Sequence, residues 1–279
     1  MGTPLGDFIR VKRDSIQPAQ LGLPDHGRRR SPGLRRSDVA VRAGISVEYL
    51  TRIEQGRDRN PSVAVLHALG DALALNTAER EHLRYLAKVT GDECTGRLGP
   101  EPARREVRPS VRETLRLLEP GIAVVTNRLG DLLAWTAAYE ALADGTGLLE
   151  GDAPNLTRYV FTDTRAKTYF ADWETVADEQ AFDLWQGPRA ENAEGLAAEL
   201  APAAGPEFTE RMNRHKVPER GVLRLRHPTA GDLRLRRELL ELASDAQLLL
   251  VLLSDDEATA AAVSRLREQT GHGRLRAIS

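Results

Sequence analysis

A single cysteine, Cys94, is all this 279-residue chain possesses. That excludes an internal disulfide and any zinc site built on paired thiolates, and it fits a reducing cytoplasm. Lysine is scarce as well, at four of the 39 basic residues, a bias that reads as genomic composition before function. No apolar run approaches the roughly 20 residues of a membrane span. The longest, Leu248 to Leu253, has six, and the N-terminus lacks the apolar core of a signal peptide. GxSxG, P-loop, HExxH and GxGxxG patterns are all missing, so no enzymatic activity is expected. The six histidines, at 26, 67, 82, 215, 227 and 272, are dispersed, and neither a metal nor a cofactor is expected. His227, ahead of Pro228, reads as a structural hydrogen-bonder; His215 is a weak pocket candidate.

What the chain does have is charge, unevenly placed. Its net charge is −2, yet residues 1–90 carry 15 Arg and Lys against 10 Asp and Glu, and the remainder carries 24 against 31. A basic first third and an acidic rest suggest one module for a polyanion and another for something else. The length suits two domains.

The most informative stretch is Arg36 to Gly56, RSDVAVRAGISVEYLTRIEQG. Val39 and Ala43 lie four apart and Leu50 and Ile53 three apart, so each pair shares one helix face. Gly44-Ile45-Ser46 separates the two halves. Glycine supplies the positive φ of a tight turn, and Ser46 can cap the second helix. Ala40 is small where crossing helices must touch, and Gly56 reads as a C-terminal cap. This pattern predicts a helix-turn-helix with Val47 to Gln55 as its second helix. Glu48, Thr51 and Arg52 point outward and can read base edges or phosphates. Upstream, Arg28, Arg29 and Arg30 with Arg35 and Arg36 form a guanidinium group suited to the phosphate backbone, and Arg57 follows the motif.

Around it the sequence predicts a first helix at Leu5–Arg13 and a long polar connection from Asp14 to Gly33. A fourth helix carries Val65, Leu66, Leu69 and Leu73, with Pro61 in its first turn, and a fifth starts at Asn76 or Thr77 with Glu79 in a capping box. The expectation is an all-α domain of five helices over residues 1–90. Gly22 through Leu69, GLPDHGRRRSPGLRRSDVAVRAGISVEYLTRIEQGRDRNPSVAVLHAL, resembles the N-terminal domain of XRE-type regulators of the MmyB-like family. The resemblance implies double-stranded operator DNA as partner. Arg36 and Ser46 are expected at phosphates, Tyr49 at a phosphate or the turn, and Val47, Glu48 and Arg52 at base edges.

Residues 91–109 are rich in Gly, Pro and charge and read as linker. In 110–279, Val111–Leu118 is a short helix, and Ile122–Val125 and Leu132–Trp135 flank the turn NRLGD as a hairpin. Helical patterns with most of the aromatics fill Asn155 to Gln186. VLRLRH (222–227), DLRLRREL (232–239) and QLLLVLL (247–253) predict three antiparallel strands, the last central and the arginines on the wet face. A helix over 257–268 follows. Strands at both ends with helices between them argue α+β.

DLLAW (131–135), NLTRYVFTD (155–163), the Tyr169–Ala171–Asp172–Trp173 cluster, PEF (206–208) and HPTAGDLRL (227–235) are similar to the MmyB-like ligand-binding domain, which implies a PAS-like fold. Departures are Thr136, where the family usually has Asn, and Arg236-Arg237-Glu238, where it has an aromatic–acidic pair. The segment after Trp185 also looks short. The resemblance implies a small hydrophobic, fatty-acid-like ligand, with Trp135, Tyr139, Leu142, Tyr159, Phe161, Tyr169 and Trp173 around one cavity. Arg158 is the candidate for a carboxylate head group, or else an internal ion pair with Asp163 or Asp172. The expected whole is a cytoplasmic, homodimeric transcription regulator with no membrane partner. The alternative is a regulator whose second domain is a ligand-free dimerisation or protein-interaction module.

Overall fold

The computed structural model describes residues 3–23, 33–91, 101–102, 105–186, 190–191, 193–214, 216–242, 245, 247–270 and 276–277. Contacts divide the chain into two units, 1–99 and 100–279. The first is helical: α1 (Pro4–Ser15), a 3-10 turn (Pro18–Leu21), α2 (Arg36–Ala43), α3 (Val47–Glu54), α4 (Val63–Ala72) and α5 (Thr77–Thr90). The 3-10 turn lies in what read as structureless connection.

Each helix end has a local cause. Thr3, Ser46 and Ser62 cap α1, α3 and α4 by accepting a backbone N–H, and Asn76 and Glu79 form the expected capping box at α5. Pro61 is not in the first turn of α4, because Ser62 takes the cap and leaves the proline buried just outside. Eight-residue α2 and α3 are too short to persist alone. Packing holds them: Val39, Leu50 and Ile53 are fully buried, with Leu5, Phe8 and Ile9 of α1 and Leu69 of α4. Gly44 turns the chain at φ +63°. Gly6 lets α1 cross the end of α3, where a Cβ would fall 2.5 Å from the Glu54 carbonyl oxygen.

The second unit begins with the short β1 (Glu101–Pro102), then α6 (Pro109–Leu118), β2 (Ile122–Asn127), β3 (Leu132–Trp135), α7 (Ala137–Ala143), α8 (Leu156–Thr162), α9 (Thr164–Tyr169) and α10 (Trp173–Gln186). It continues through β4 (Ala190–Glu191), α11 (Ala193–Ala204), α12 (Pro206–Arg214), β5 (Leu223–His227), β6 (Gly231–Leu242), β7 (Gln247–Ser254), α13 (Glu257–Thr270) and β8 (Arg276–Ala277). β1 pairs with β4 in parallel. The main sheet has the order β5-β6-β7-β2-β3-β8, and its pairings are antiparallel. This is the α+β, PAS-like unit that the sequence implied, with β7 central. The stretch expected to be linker, 91–109, ends inside this unit, since Val107 is buried and Arg108 pairs with Asp245.

Alternation along the strands makes two cores. Ile122, Val124, Leu132, Leu225, Leu233, Leu235 and Leu252 face the helices α7–α12. Ala123, Val125, Leu133 and Leu249 face Val107, Val111 and Leu115 on and before α6. Among the described residues no helix is long and apolar enough to cross a membrane.

Candidate functional site

In the first unit, burial sorts α3 into two faces. Leu50, Ile53 and Glu54 are inside, while Glu48, Arg52 and Gln55 are exposed, spaced as one ridge along the helix. Val47 is 38% exposed at its start. Ser46 Oγ accepts from the Tyr49 N–H at 3.0 Å, and its hydroxyl proton is left to donate. Thr51 donates to the Val47 carbonyl, which fixes it on the helix surface. Tyr49 is half-buried; burial first, then the Asp58 carboxylate, push its phenol up, so it remains a neutral donor. Among the described residues Arg52 has one ionic contact, a long one to Asp58 at 3.7 Å. Arg35 and Arg57 are exposed, whereas Arg28, Arg29 and Arg30 lie outside the described residues.

Arg36 has a structural partner that the sequence reading did not place. Its Nε donates to Glu54 Oε2 at 2.6 Å, and Glu54 Oε1 accepts from Arg13 Nε at 2.8 Å. Glu54 and Arg13 are buried, so Arg36 is first a partner of a buried carboxylate. Its side chain is still 44% exposed, and its remaining N–H groups are available at the surface. Gln55 is the residue that sequence reasoning missed. Its place three positions beyond Arg52 was the signal.

In the second unit a cavity of about 530 Å³ opens between the sheet and helices α7 to α10. Its apolar wall includes Leu142, Phe170, Leu225, Leu250 and Leu252, and Tyr139 and Tyr169 line it as well. Tyr169 spends its hydroxyl on the Leu142 carbonyl at 3.0 Å. The Tyr139 hydroxyl makes no hydrogen bond among the described residues, and burial alone pushes its phenol far up, so it is a neutral donor. Of the residues expected to surround one cavity, then, Tyr139, Leu142 and Tyr169 are brought together.

The others are elsewhere, for identifiable reasons. Phe161 packs edge-on against Phe208 of α12 (4.9 Å) and against Trp173 (6.4 Å). Trp173 donates to the Val160 carbonyl and carries Lys167 over its ring. Both belong to the interface of α8, α10 and α12. Tyr159 donates to the Thr146 carbonyl at 2.8 Å, and burial pushes it up to about 12. Trp135 is buried but does not line the cavity. Arg158 also lies off the cavity wall. It makes a two-pronged pair with Glu199 of α11, 2.7 and 3.1 Å, on the surface, because α11 brings a carboxylate that the sequence alone did not place. Neither Asp163 nor Asp172 is its partner: they pair with Arg165 and Arg224.

The cavity's charged groups come from residues that sequence reasoning did not select. Arg237 of β6 donates to Glu179 of α10 through Nη1 (2.5 Å) and Nη2 (2.8 Å), and through Nε to the Gly221 carbonyl. Arg220 pairs with Asp183, and Arg128 with Glu241 at 2.6 Å. Burial pushes the Asp183 carboxyl up, with Arg220 opposing. Arg237 was expected on the wet face, as Arg224, Arg226, Arg234 and Arg236 are. It is in phase with Leu233 and Leu235, however, so the pleat turns it inward; that parity was legible in the strand.

Comparison with known proteins follows this division. The family described as "Helix-turn-helix domain" matches residues 26–83. The "MmyB-like transcription regulator ligand binding domain" matches residues 107–268, more than half of the chain. The chain is also similar to an uncharacterized HTH-type transcriptional regulator, y4dJ, of Sinorhizobium fredii (strain NBRC 101917 / NGR234). Identity is 43% over 51 residues, which are 18% of this chain and span 65% of that protein's length.

Proposed function

The chain belongs to the MmyB-like transcription regulators, and on that premise we propose that it binds operator DNA sequence-specifically and answers to a small hydrophobic, fatty-acid-like ligand. The observation that carries the reading is an apolar-walled cavity of about 530 Å³ in the same chain as a helix-turn-helix with a polar exposed ridge. At about 30 Å³ per water-sized group, such a space takes on the order of 15 non-hydrogen atoms. A guest that binds one conformation better than another shifts the population toward it and so changes operator affinity.

On the DNA side, Arg52 is assigned a guanine, Glu48 a cytosine amino group, Val47 a thymine methyl and Gln55 an adenine or a phosphate. Arg35, Arg36, Ser46, Tyr49, Thr51 and Arg57 serve the backbone, with Arg28, Arg29 and Arg30 adding phosphate contacts. One recognition helix covers few base pairs, so the protein acts in the cytoplasm as a homodimer on half-sites about 34–36 Å apart or a multiple of that.

The test is to purify the full chain, extract it with organic solvent and identify bound molecules by mass spectrometry. Acyl compounds of increasing length, acidic and neutral, are then added back. A ligand of the folded state raises thermal stability and alters operator binding. No extractable molecule and no shift at any length would favour an interaction module instead. That second reading draws on Leu240 and Leu253, 50% and 42% exposed on the sheet's outer face.

A further inference from the structure

We infer that the cavity selects an acyl chain with an uncharged head that both donates and accepts hydrogen bonds, of the primary-amide type, and discriminates against a free carboxylate. The inference rests on the ligand-sensing reading above and concerns which head that ligand carries.

The argument is one of charge and hydrogen-bond inventory. Three guanidiniums line the cavity, those of Arg128, Arg220 and Arg237, and each already has its own carboxylate: Glu241, Asp183 and Glu179. Arg237 is the most committed. Two of its nitrogens hold Glu179 and the third holds the Gly221 carbonyl, and both side chains of the pair are shielded from solvent, 13% and 3% exposed. A guest carboxylate reaching Arg237 must displace Glu179, leaving a buried carboxylate without its counter-ion. That exchange is costly unless Glu179 takes up a proton. Val176, Glu179, Gln180 and Asp183 lie on one side of α10 and line the cavity together, so an anionic head also meets two carboxylates at close quarters.

Neutral groups on the same wall complement an amide. Gln180 Oε1 accepts from Thr157 Oγ1 at 3.0 Å, and among the described residues no acceptor takes its amide hydrogens. The Tyr139 hydroxyl likewise has no partner among them. Both are uncharged donors for a guest carbonyl, while the spare lone pairs of Glu179 and Asp183 accept from a guest N–H. The cavity thus offers donors without charge and acceptors with negative charge, the inverse of a carboxylate receptor.

Decanamide and decanoate, of one chain length and each within the volume, separate the alternatives. Binding to the full-length protein is followed by calorimetry and thermal shift near pH 7.5. Decanamide is expected to bind about tenfold tighter or more, without proton exchange. Decanoate should strengthen as pH falls, with proton uptake measured in buffers of different ionisation enthalpy. Glu179→Gln, which frees Arg237, should reverse the order and favour decanoate. The double variant Glu179→Gln/Arg237→Gln should restore preference for the amide, with the melting curve of each variant checking that it folds. Wild-type protein that binds decanoate as tightly as decanamide, with no proton uptake, overturns the inference while leaving the sensor reading intact. Binding of neither probe overturns both.

Discussion

Glu54→Leu is the perturbation that tests the helical unit most sharply. Glu54 is 2% exposed in its side chain, and it holds Arg13, 7% exposed, at 2.8 Å and Arg36 at 2.6 Å. Removing the carboxylate leaves the Arg13 guanidinium buried, with Asp14 and the Leu34 carbonyl as its remaining acceptors. Breaking a buried pair from one side costs about 3–5 kcal/mol, a large share of the stability of a domain of about 90 residues. Arg36 contributes little to that loss because water reaches it. With a urea m-value of roughly 1–3 kcal/mol/M, the midpoint should fall by about 2 M. The three tryptophans, at 135, 173 and 185, all lie in the second unit, so their fluorescence reports that unit alone while circular dichroism reports both. The Leu variant should move the dichroism transition and leave the fluorescence transition in place. Arg13→Met added to Glu54→Leu should recover most of the loss, since a hydrophobic replacement of the whole pair is often neutral. A single variant costing under about 1 kcal/mol, or a double as unstable as the sum of its parts, would refute the reasoning.

Three further outcomes are expected. Arg52→Ala should cost about 1–3 kcal/mol on the true operator and relax preference at one base pair; equal losses on specific and random DNA would move Arg52 to the phosphate backbone. Replacing Arg28, Arg29 and Arg30 with Gln should weaken binding to every sequence alike and flatten log K against log salt by up to about 0.9 for each phosphate no longer neutralised. An unchanged slope defeats that assignment. His227 has its pKa lowered, chiefly by burial, and its Nδ1 accepts from the Thr229 and Ala230 N–H groups at 3.2 and 3.1 Å. Its folded value lies below the ordinary 6.5, so its contribution is complete above that pH and declines as pH drops from 6.5 toward the folded value. His227→Asn, which keeps an acceptor there, should flatten the change in melting temperature over that window. A slope identical to wild type would assign it to other groups.

The architecture was largely legible, because it rests on local signals. Apolar spacing at Val39, Ala43, Leu50 and Ile53, the turn at Gly44 and the caps at Ser46 and Asn76 act within a few residues of themselves. Leu–Arg alternation likewise fixed which face of β5 is wet. The cavity was less legible because its composition depends on which distant elements meet. Aromatics on α8 and α10 looked equivalent in sequence, but α12 brings Phe208 to Phe161 and Trp173 and withdraws them from the wall. Arg158 met Glu199 only because α11 folds across it. Arg237 is intermediate: its phase with Leu233 and Leu235 was readable, whereas its partner Glu179, 58 residues away, was not.

The central strand β7 has one more implication. Leu248, Leu250 and Leu252 form cavity wall, while Leu249 and Val251, interleaved with them, belong to the core beneath α6. The two compartments are therefore separated by the thickness of a single backbone, with no intervening layer to absorb displacement. α6 is also the first long helix that the chain forms after leaving the helical unit. A guest that spreads the leucines on one side pushes directly on the seat of that helix, much as a key raises a pin. Hydrogen exchange of the amides at 110–118, with and without guest, is where such a displacement would register first.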